Sequence, residues 1–290
     1  MRSWMRRQGC WLPGRAGRVV EAARLRFHEA QVAEVVLANP GRLNAMDPVF
    51  FAELAAIFAR IADSRVVRAV VLRAEGRAFS IGLDKELSMN LLPPARPGEP
   101  PAGRTTLLHR TIRRFQAAMM TVRSCPKPVI AAVNGFCFGG GLDLACAADI
   151  RLCAADAQFA VHETRIAMVA DLGTLTWLPR IIGRGPAREM AFTGAPAGAG
   201  RAQAIGLVNA VYPDREQLLA GALDLARNIA RNAPLVVSAV KHLMDEAELV
   251  EEERGLRHVA LWNAGHFFSA DLEEGHRAAL ERREPKWSED

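Results

Sequence analysis

The chain has one tyrosine among its 290 residues, no pair of cysteines at C-x-x-C spacing, and no apolar run as long as a membrane span. Each absence excludes something. A face that stacks on nucleic-acid bases needs exposed aromatics within a basic stripe, and aromatic residues make up only 6% of this chain. Cys10, Cys125, Cys137, Cys146 and Cys153 are odd in number and lack zinc spacing. They read as reduced thiols of an intracellular protein, not as a disulfide framework. Without roughly 18 consecutive apolar residues, no transmembrane helix is expected. Several catalytic signatures are missing too. His162-Glu163 is followed by Ile166 where a zinc protease would place a second His. There is no G-x-S-x-G elbow, no P-loop and no spaced dinucleotide fingerprint.

The charge is not what the total suggests. A net of +5 invites a polyanionic partner. Residues 1–27, however, hold seven arginines against the single acid Glu21, a net of +6, so the remainder carries −1. The body is close to neutral, and no nucleic-acid or membrane partner is expected. The arginine-rich, acid-poor start fits a mitochondrial transit peptide, a disordered extension or an over-long gene start. The corresponding compartments are the mitochondrion, for a transit peptide, or the bacterial cytoplasm. Ser288-Glu289-Asp290 is not the peroxisomal tripeptide.

Short β-branched runs alternate with helical patterns. Val32–Leu37, Val66–Leu72 and Pro128–Val133 read as strands, with Asp149–Cys153 and Val208–Tyr212 as shorter ones. Between the first two, Asp47 caps a helix, Pro48 suits its first turn, and Phe51, Leu54, Ala55, Phe58 and Ile61 share a face. This alternation predicts an α/β core over 28–214, after the extension 1–27. Five prolines between Pro93 and Pro101 predict a surface loop. From residue 215 to 290 the pattern is helical: Gln217–Arg231, Pro234–Val250, then Glu251–Phe268 with Leu256, Ala260 and Leu261 on one side, and Leu272–Arg283.

The densest chemistry lies in Gly135–Ala147. Gly139-Gly140-Gly141 follows a strand and precedes an Ala-rich helix, leaving free N–H donors to which a ligand can approach closely. A tight strand-to-helix turn would use the same residues. A second turn, Phe79–Asp84, offers the Ile81 N–H to complete a two-donor hole with Gly140. Asp143 in a first helical turn also complements the dipole. Glu163 and Asp171 are too far apart for one helical face to present both. Singly, a solvated loop Glu and an N-cap Asp would account for them. His162 reads as a solvated or packing residue.

The ordered succession Phe79–Asp84, Lys127–Gly135, Gly139–Leu144, Asp149–Arg151 and Phe159–Gly173 resembles the crotonase superfamily, the enoyl-CoA hydratase/isomerase family. Asn39–Met46 resembles its first loop, and Ser269–Gly275 with Glu281–Pro285 its C-terminal signature. The resemblance implies a spiral core of ββα repeats and a C-terminal helical region that makes homotrimers or dimers of trimers. It implies a coenzyme A thioester substrate and a place in fatty acid β-oxidation. Ile81 and Gly140 would form the oxyanion hole. Arg42, Asn44 and Ala45 would lie beside the coenzyme A, with Ser80, Gly82, Asp84 and Gly139 also at the substrate. Phe267 and Phe268 are candidates for the adenine or acyl region.

Typical hydratases of this family carry Glu at the position of Asp143 and Gly at that of Asp171. The trio Asp143, Glu163 and Asp171 is similar instead to the Δ3,5-Δ2,4-dienoyl-CoA isomerase branch. Moving conjugated double bonds needs one carboxylate to remove a proton near the thioester and a carboxylic acid to return one farther along. Glu163 is the expected base, Asp171 the expected acid and Asp143 the modulator, though the first two could exchange roles. The alternatives are hydration through Glu163 and Asp143, and a binding module with little catalysis. Neither the chemistry nor the motifs call for a metal or redox cofactor.

Overall fold

A computed structural model describes residues 22–28, 31–84, 101–266, 270–283 and 286. The chain runs β1 (Ala23–His28), β2 (Val32–Leu37), a 3-10 turn (Pro40–Arg42), α1 (Pro48–Asp63), β3 (Ala69–Ala74) and β4 (Ala78–Ser80). It continues with α2 (Pro101–Arg123), β5 (Val129–Val133), β6 (Phe136–Phe138), α3 (Gly140–Ala147), β7 (Ile150–Ala154) and β8 (Gln158–Ala160). A second 3-10 turn (Glu163–Ile166) leads to α4 (Thr174–Ile182), α5 (Arg184–Thr193), β9 (Ala197–Gly198), α6 (Ala199–Ala204) and β10 (Ala210–Tyr212). Three helices close the order: α7 (Arg215–Ala230), α8 (Pro234–His266) and α9 (Ala270–Glu281).

Two sheets result. The larger has the order β1-β2-β3-β5-β7-β10, all parallel except β1 against β2. The smaller has the order β4-β6-β8-β9, parallel through its first three strands. Each repeat gives one strand to each sheet and then a helix, as in β3-β4-α2 and β5-β6-α3. This is the expected ββα spiral. The central strands β2, β3 and β5 read as mainly apolar runs because both faces are covered, and the two charges within them, Glu34 and Arg73, pair with each other. Val70, Leu72, Ala131 and Val133 point into the main core, while Ala69, Val71, Ile130 and Ala132 meet Leu218, Ala222 and Ala226 of α7. Each fully buried Val, Leu or Ile contributes about 1.5–3 kcal/mol. An acid at Val71 would stand between sheet and helix with its charge unsolvated.

Several details follow the sequence closely. The Asp47 carboxylate accepts from the Phe50 N–H at 2.8 Å and so caps α1, with Pro48 as its first residue. Phe51, Leu54, Phe58 and Ile61 are buried there. Asp214 caps α7 in the same way, through the Gln217 N–H at 2.8 Å.

Other expectations shift. The sheet begins inside the segment read as an extension: β1 pairs with β2 along its whole length, and the Glu53 carboxylate accepts from the Ala22 and Ala23 N–H groups at 2.8 and 3.0 Å. Arg24 and Arg26 therefore belong to a charged edge strand, facing Glu75 and Glu34. Residues 1–21 lie outside the described residues, as does most of the proline-rich segment. The strand expected from Val66 starts at Ala69. Val66 is exposed in a turn where Ser64 Oγ accepts from the Val66 and Val67 N–H groups. Helix α2 escapes the sequence reading, although Leu108, Ile112, Phe115, Met119 and Val122 recur at helical spacing and are all buried. The two helices expected here, Pro234–Val250 and Glu251–Phe268, are one continuous helix as far as the described residues go, Pro234–His266, since no Gly, Pro or capping residue stands at the Val250-Glu251 junction. Within it Leu261 is exposed, while Leu256, Ala260, Asn263 and Ala264 form the buried stripe.

Candidate active site

The first loop and the Phe79–Asp84 turn are zipped together. The Met46 N–H donates to Gly82 O at 2.8 Å, and the Asp84 N–H to Met46 O at 2.9 Å. Asn44 holds the loop from inside. It is buried with φ +54°, a left-handed conformation that Asn tolerates. Its Oδ1 accepts from the Asn39 N–H at 2.9 Å, and its Nδ2 donates to Glu75 O and Ala78 O at 2.8 and 2.9 Å. Ser80, fully buried, donates to Asn44 O at 2.7 Å and accepts from the Gly82 N–H at 3.1 Å. Asn44 and Ser80, expected at the substrate, thus engage the protein's own backbone. Ala45 is buried. Arg42, half exposed, forms an ion pair with buried Asp84.

This scaffold brings the two Gly turns face to face. Gly82 has φ +83°, and a β-carbon there would lie 2.7 Å from the Gly140 nitrogen. As the first residue of α3, Gly140 has no intrahelical acceptor for its N–H. The Ile81 N–H makes only a long contact, 3.3 Å, to Leu43 O. Both donors border a cavity of about 150 Å³. Gly139, Glu163 and His162 form its polar wall. Leu83, Ile166 and Met168 supply apolar surface, and His276, Ala279 and Leu280 of α9 complete the lining. His162 stacks on Phe138, with ring centroids 5.8 Å apart, so its packing reading holds and it also faces the cavity.

The three carboxyl groups form one buried cluster. Asp143 has no exposed surface. Its Oδ1 accepts from the Thr174 N–H at 2.5 Å, and its Oδ2 has no partner among the described residues. Burial pushes its carboxyl up to about 6, against the lowering pull of the Thr174 hydrogen bonds. Asp171 accepts at Oδ2 from Asn263 Nδ2 at 2.5 Å. Burial raises it to about 7; the Asn263 amide pulls it down and Asp143 pushes it up. Glu163 is raised well above the ordinary carboxylate range, first by burial, then by the charges of Asp143 and Asp171. As a residue Glu163 is half-buried, but its Oε2 is shielded and has no partner among the described residues. Three crowded carboxyls in a poorly solvated place cannot all ionise near neutrality. Glu163 alone of the three lines the cavity; Asp143 and Asp171 stand behind it.

A cavity with two backbone N–H donors and a carboxyl beside them fits a thioester whose oxygen gains charge while a neighbouring carbon loses a proton. A sequence profile described as enoyl-CoA hydratase/isomerase matches residues 28–290. The chain belongs to the enoyl-CoA hydratase/isomerase family. A mitochondrial Delta(3,5)-Delta(2,4)-dienoyl-CoA isomerase from Dictyostelium discoideum is 40% identical over 257 residues, covering 88% of this chain and 86% of that protein. The Homo sapiens protein of the same name is 37% identical, covering 92% and 81%. A crystal structure of an enoyl-CoA hydratase/isomerase from Pseudoalteromonas atlantica T6c superposes with a TM-score of 0.80 at 25% identity, over 92% of this chain and all of that one.

Family motifs led to Ile81, Gly139, Gly140, Asp143, Glu163 and Asp171, and the fold brings them together. Sequence reasoning missed Gln116 and Asn263. Each is a polar residue on the buried stripe of a helix, and that placement was the available signal. It also missed His276, Ala279 and Leu280, whose arrival depends on how α9 packs back. A β-carbon on Gly275 would lie 3.1 Å from the Ile166 backbone, so α9 lies directly on the 3-10 turn that carries Glu163. Phe267 and Phe268 lie outside the described residues. Among the described residues no cluster of three His, Cys, Asp or Glu side chains is placed to hold a metal ion.

Proposed function

We propose that this enzyme isomerises 3,5-dienoyl-CoA to 2,4-dienoyl-CoA. The observation that carries the reading is Asp171, a third carboxyl buried beside Glu163 and Asp143 and raised to about 7. The thioester oxygen sits between the N–H groups of Ile81 and Gly140. Glu163, next to Gly139 and Gly140 in the cavity wall, takes a proton from C2. The electron pair moves through the conjugated system, so that negative charge gathers on the thioester oxygen, where the two donors stabilise it. In this reading Asp171, which lies beside Glu163 and does not itself line the cavity, returns a proton at C6, and the double bonds shift from positions 3 and 5 to 2 and 4. Proton exchange between the two carboxyls then restores the starting state. Burial and the neighbouring carboxyls raise Glu163 more strongly than Asp171, and the base role uses the form in which the proton lies on Asp171 and Glu163 is ionised.

The names of the relatives support the same reaction. Hydration is the weaker reading, because it needs Asp143 and Glu163 to share one water. Asp143 instead has Oδ1 engaged by the Thr174 N–H, which leaves it one oxygen fewer for a water. Arg42, oriented by Asp84, is the proposed cation for a coenzyme A phosphate. Assembly as a homotrimer or dimer of trimers is supported by Leu235, Val236, Val240, Leu243 and Met244, all exposed on one stretch of α8. The bacterial cytoplasm is the proposed compartment, or the mitochondrion where the arginine-rich start acts as a transit peptide. Among the described residues no helix is long and apolar enough to cross a membrane.

The deciding experiment is a paired assay on one preparation. Rise of the 2,4-dienoyl absorbance from a 3,5-dienoyl-CoA, with slow hydration of crotonyl-CoA, is expected. Glu163→Gln and Asp171→Asn should each lower the isomerase rate about 10²–10⁴-fold. Brisk hydration without isomerisation, or an Asp171→Asn enzyme of full activity, overturns the reading.

A further inference from the structure

Two neutral amides from different helices grip Asp171. From α2, Gln116 Nε2 donates to the Asp171 carbonyl at 2.6 Å and to the Leu256 carbonyl of α8 at 3.0 Å. From α8, Asn263 Nδ2 donates to the Asp171 carboxyl at 2.5 Å. Gln116 is itself held, since Arg113 donates to its Oε1 at 2.9 Å and pairs with Glu253 of α8 at 2.7 Å. Gln116 and Asn263 are 1% and 3% exposed. Burying an amide costs a few kcal/mol unless it is hydrogen-bonded. At the Asn263 position, between Ala260 and Ala264, an apolar side chain would pack without that cost.

We propose that Asn263 is the positioning residue for Asp171: its amide fixes the rotation of the carboxyl and occupies Oδ2, leaving Oδ1 to give and take the proton. The inference rests on the proton-donor role given to Asp171 above. The charged groups that face Asp171 are Asp143 of α3 and Glu163 of the 3-10 turn, and both disfavour its ionisation. The Asn263 amide opposes them. It keeps Asp171 able to lose its proton within the working pH range, as a group that must both donate and be recharged requires.

The test uses the full chain with Asn263→Leu and Asn263→Ser, which remove the amide, and Asn263→Gln, which keeps one. Two quantities are read. One is isomerase kcat and KM. The other is the titration midpoint of the Asp171 carboxyl by carbon-13 NMR, with its signal identified by its loss in Asp171→Asn. Without the amide, kcat should fall about 10–100-fold with KM within about twofold, since a misplaced catalytic group costs on that order. The midpoint should rise by about one pH unit or more, as expected when a hydrogen bond to a buried carboxylate is lost. Asn263→Gln should recover part of kcat. An unmoved midpoint in whichever amide-free variant folds overturns the proposal, even where kcat falls. A shifted midpoint in an enzyme without isomerase activity upholds the grip on Asp171 and removes the reaction assigned above.

Discussion

Gly139 and Glu163 are in such close contact that a β-carbon on the glycine would lie 3.0 Å from the Glu163 Oε1. Gly139 also adopts φ 52° and ψ −125°, a region that side chains with a β-carbon avoid. Gly140, the proposed oxyanion donor next in sequence, and Glu163, the proposed base, thus depend on the same missing side chain. Gly139→Ala should strain the turn by about 1–3 kcal/mol and push the Glu163 carboxyl away from the substrate carbon. Turnover should fall about 100-fold, with a smaller change in KM, measured as steady-state isomerisation. Full activity in Gly139→Ala would mean that Glu163 is not the base.

Asn44 offers a different kind of test, because its side chain serves the loop. Asn44→Ala leaves the Asn39 N–H and the Glu75 and Ala78 carbonyls without their partner. It also puts an alanine at φ +54°. Each buried group left unsatisfied costs about 1–3 kcal/mol, so the unfolding free energy in urea should drop by about 3 kcal/mol or more. Since the loop carries Arg42 and braces the Ile81 turn, KM should rise as well. An unchanged urea midpoint would return Asn44 to the role of a direct substrate contact.

The pH dependence of stability follows from the sign of the carboxyl shifts. Asp171 titrates from 3.8 in the unfolded chain to about 7 when folded. Between those values the folded protein binds the extra proton, so stability falls as pH rises through the window and stays reduced above it. Asp171→Asn removes that penalty while its carbonyl oxygen still accepts from Asn263. At pH 8 the variant should be more stable than the parent by about 1–3 kcal/mol, and the gain should vanish near pH 4. Thermal melts at the two pH values measure it. A variant less stable at pH 8 would show that the buried carboxylate is not strained there.

The parts of this site that were legible in the sequence are those encoded in consecutive residues. Gly139-Gly140-Gly141 and the Ile81 turn could be read as donor-bearing turns from local order, whereas Glu163 and Asp171 stood out only through their resemblance to the family's motifs. The long strands were legible because both their faces are mainly apolar and rich in β-branched residues. The three-residue strands β4, β6 and β8 are too short for periodicity, and they depend on the pairing of neighbouring repeats. Gln116 and Asn263 lie 55 and 92 residues from Asp171 in sequence, so only tertiary packing makes them its partners.

The α9 wall of the cavity sets up a test of chain-length preference. Ala279 and Leu280 of α9 line the same cavity of about 150 Å³ as Glu163, and that wall comes from the same chain. A phenylalanine at Ala279 adds aromatic bulk to a wall residue and leaves the carboxyl residues and the two N–H donors themselves unsubstituted. If the acyl tail runs along α9, Ala279→Phe should raise KM for ten-carbon dienoyl-CoA about tenfold, the loss of one to two kcal/mol of apolar contact. The six-carbon substrate, whose C2 to C6 stay near Glu163 and Asp171, should be turned over at nearly the parental rate. Steady-state kinetics on the two substrates gives the ratio directly. Equal effects on both lengths would place the tail elsewhere and leave α9 as a lid over the reacting carbons.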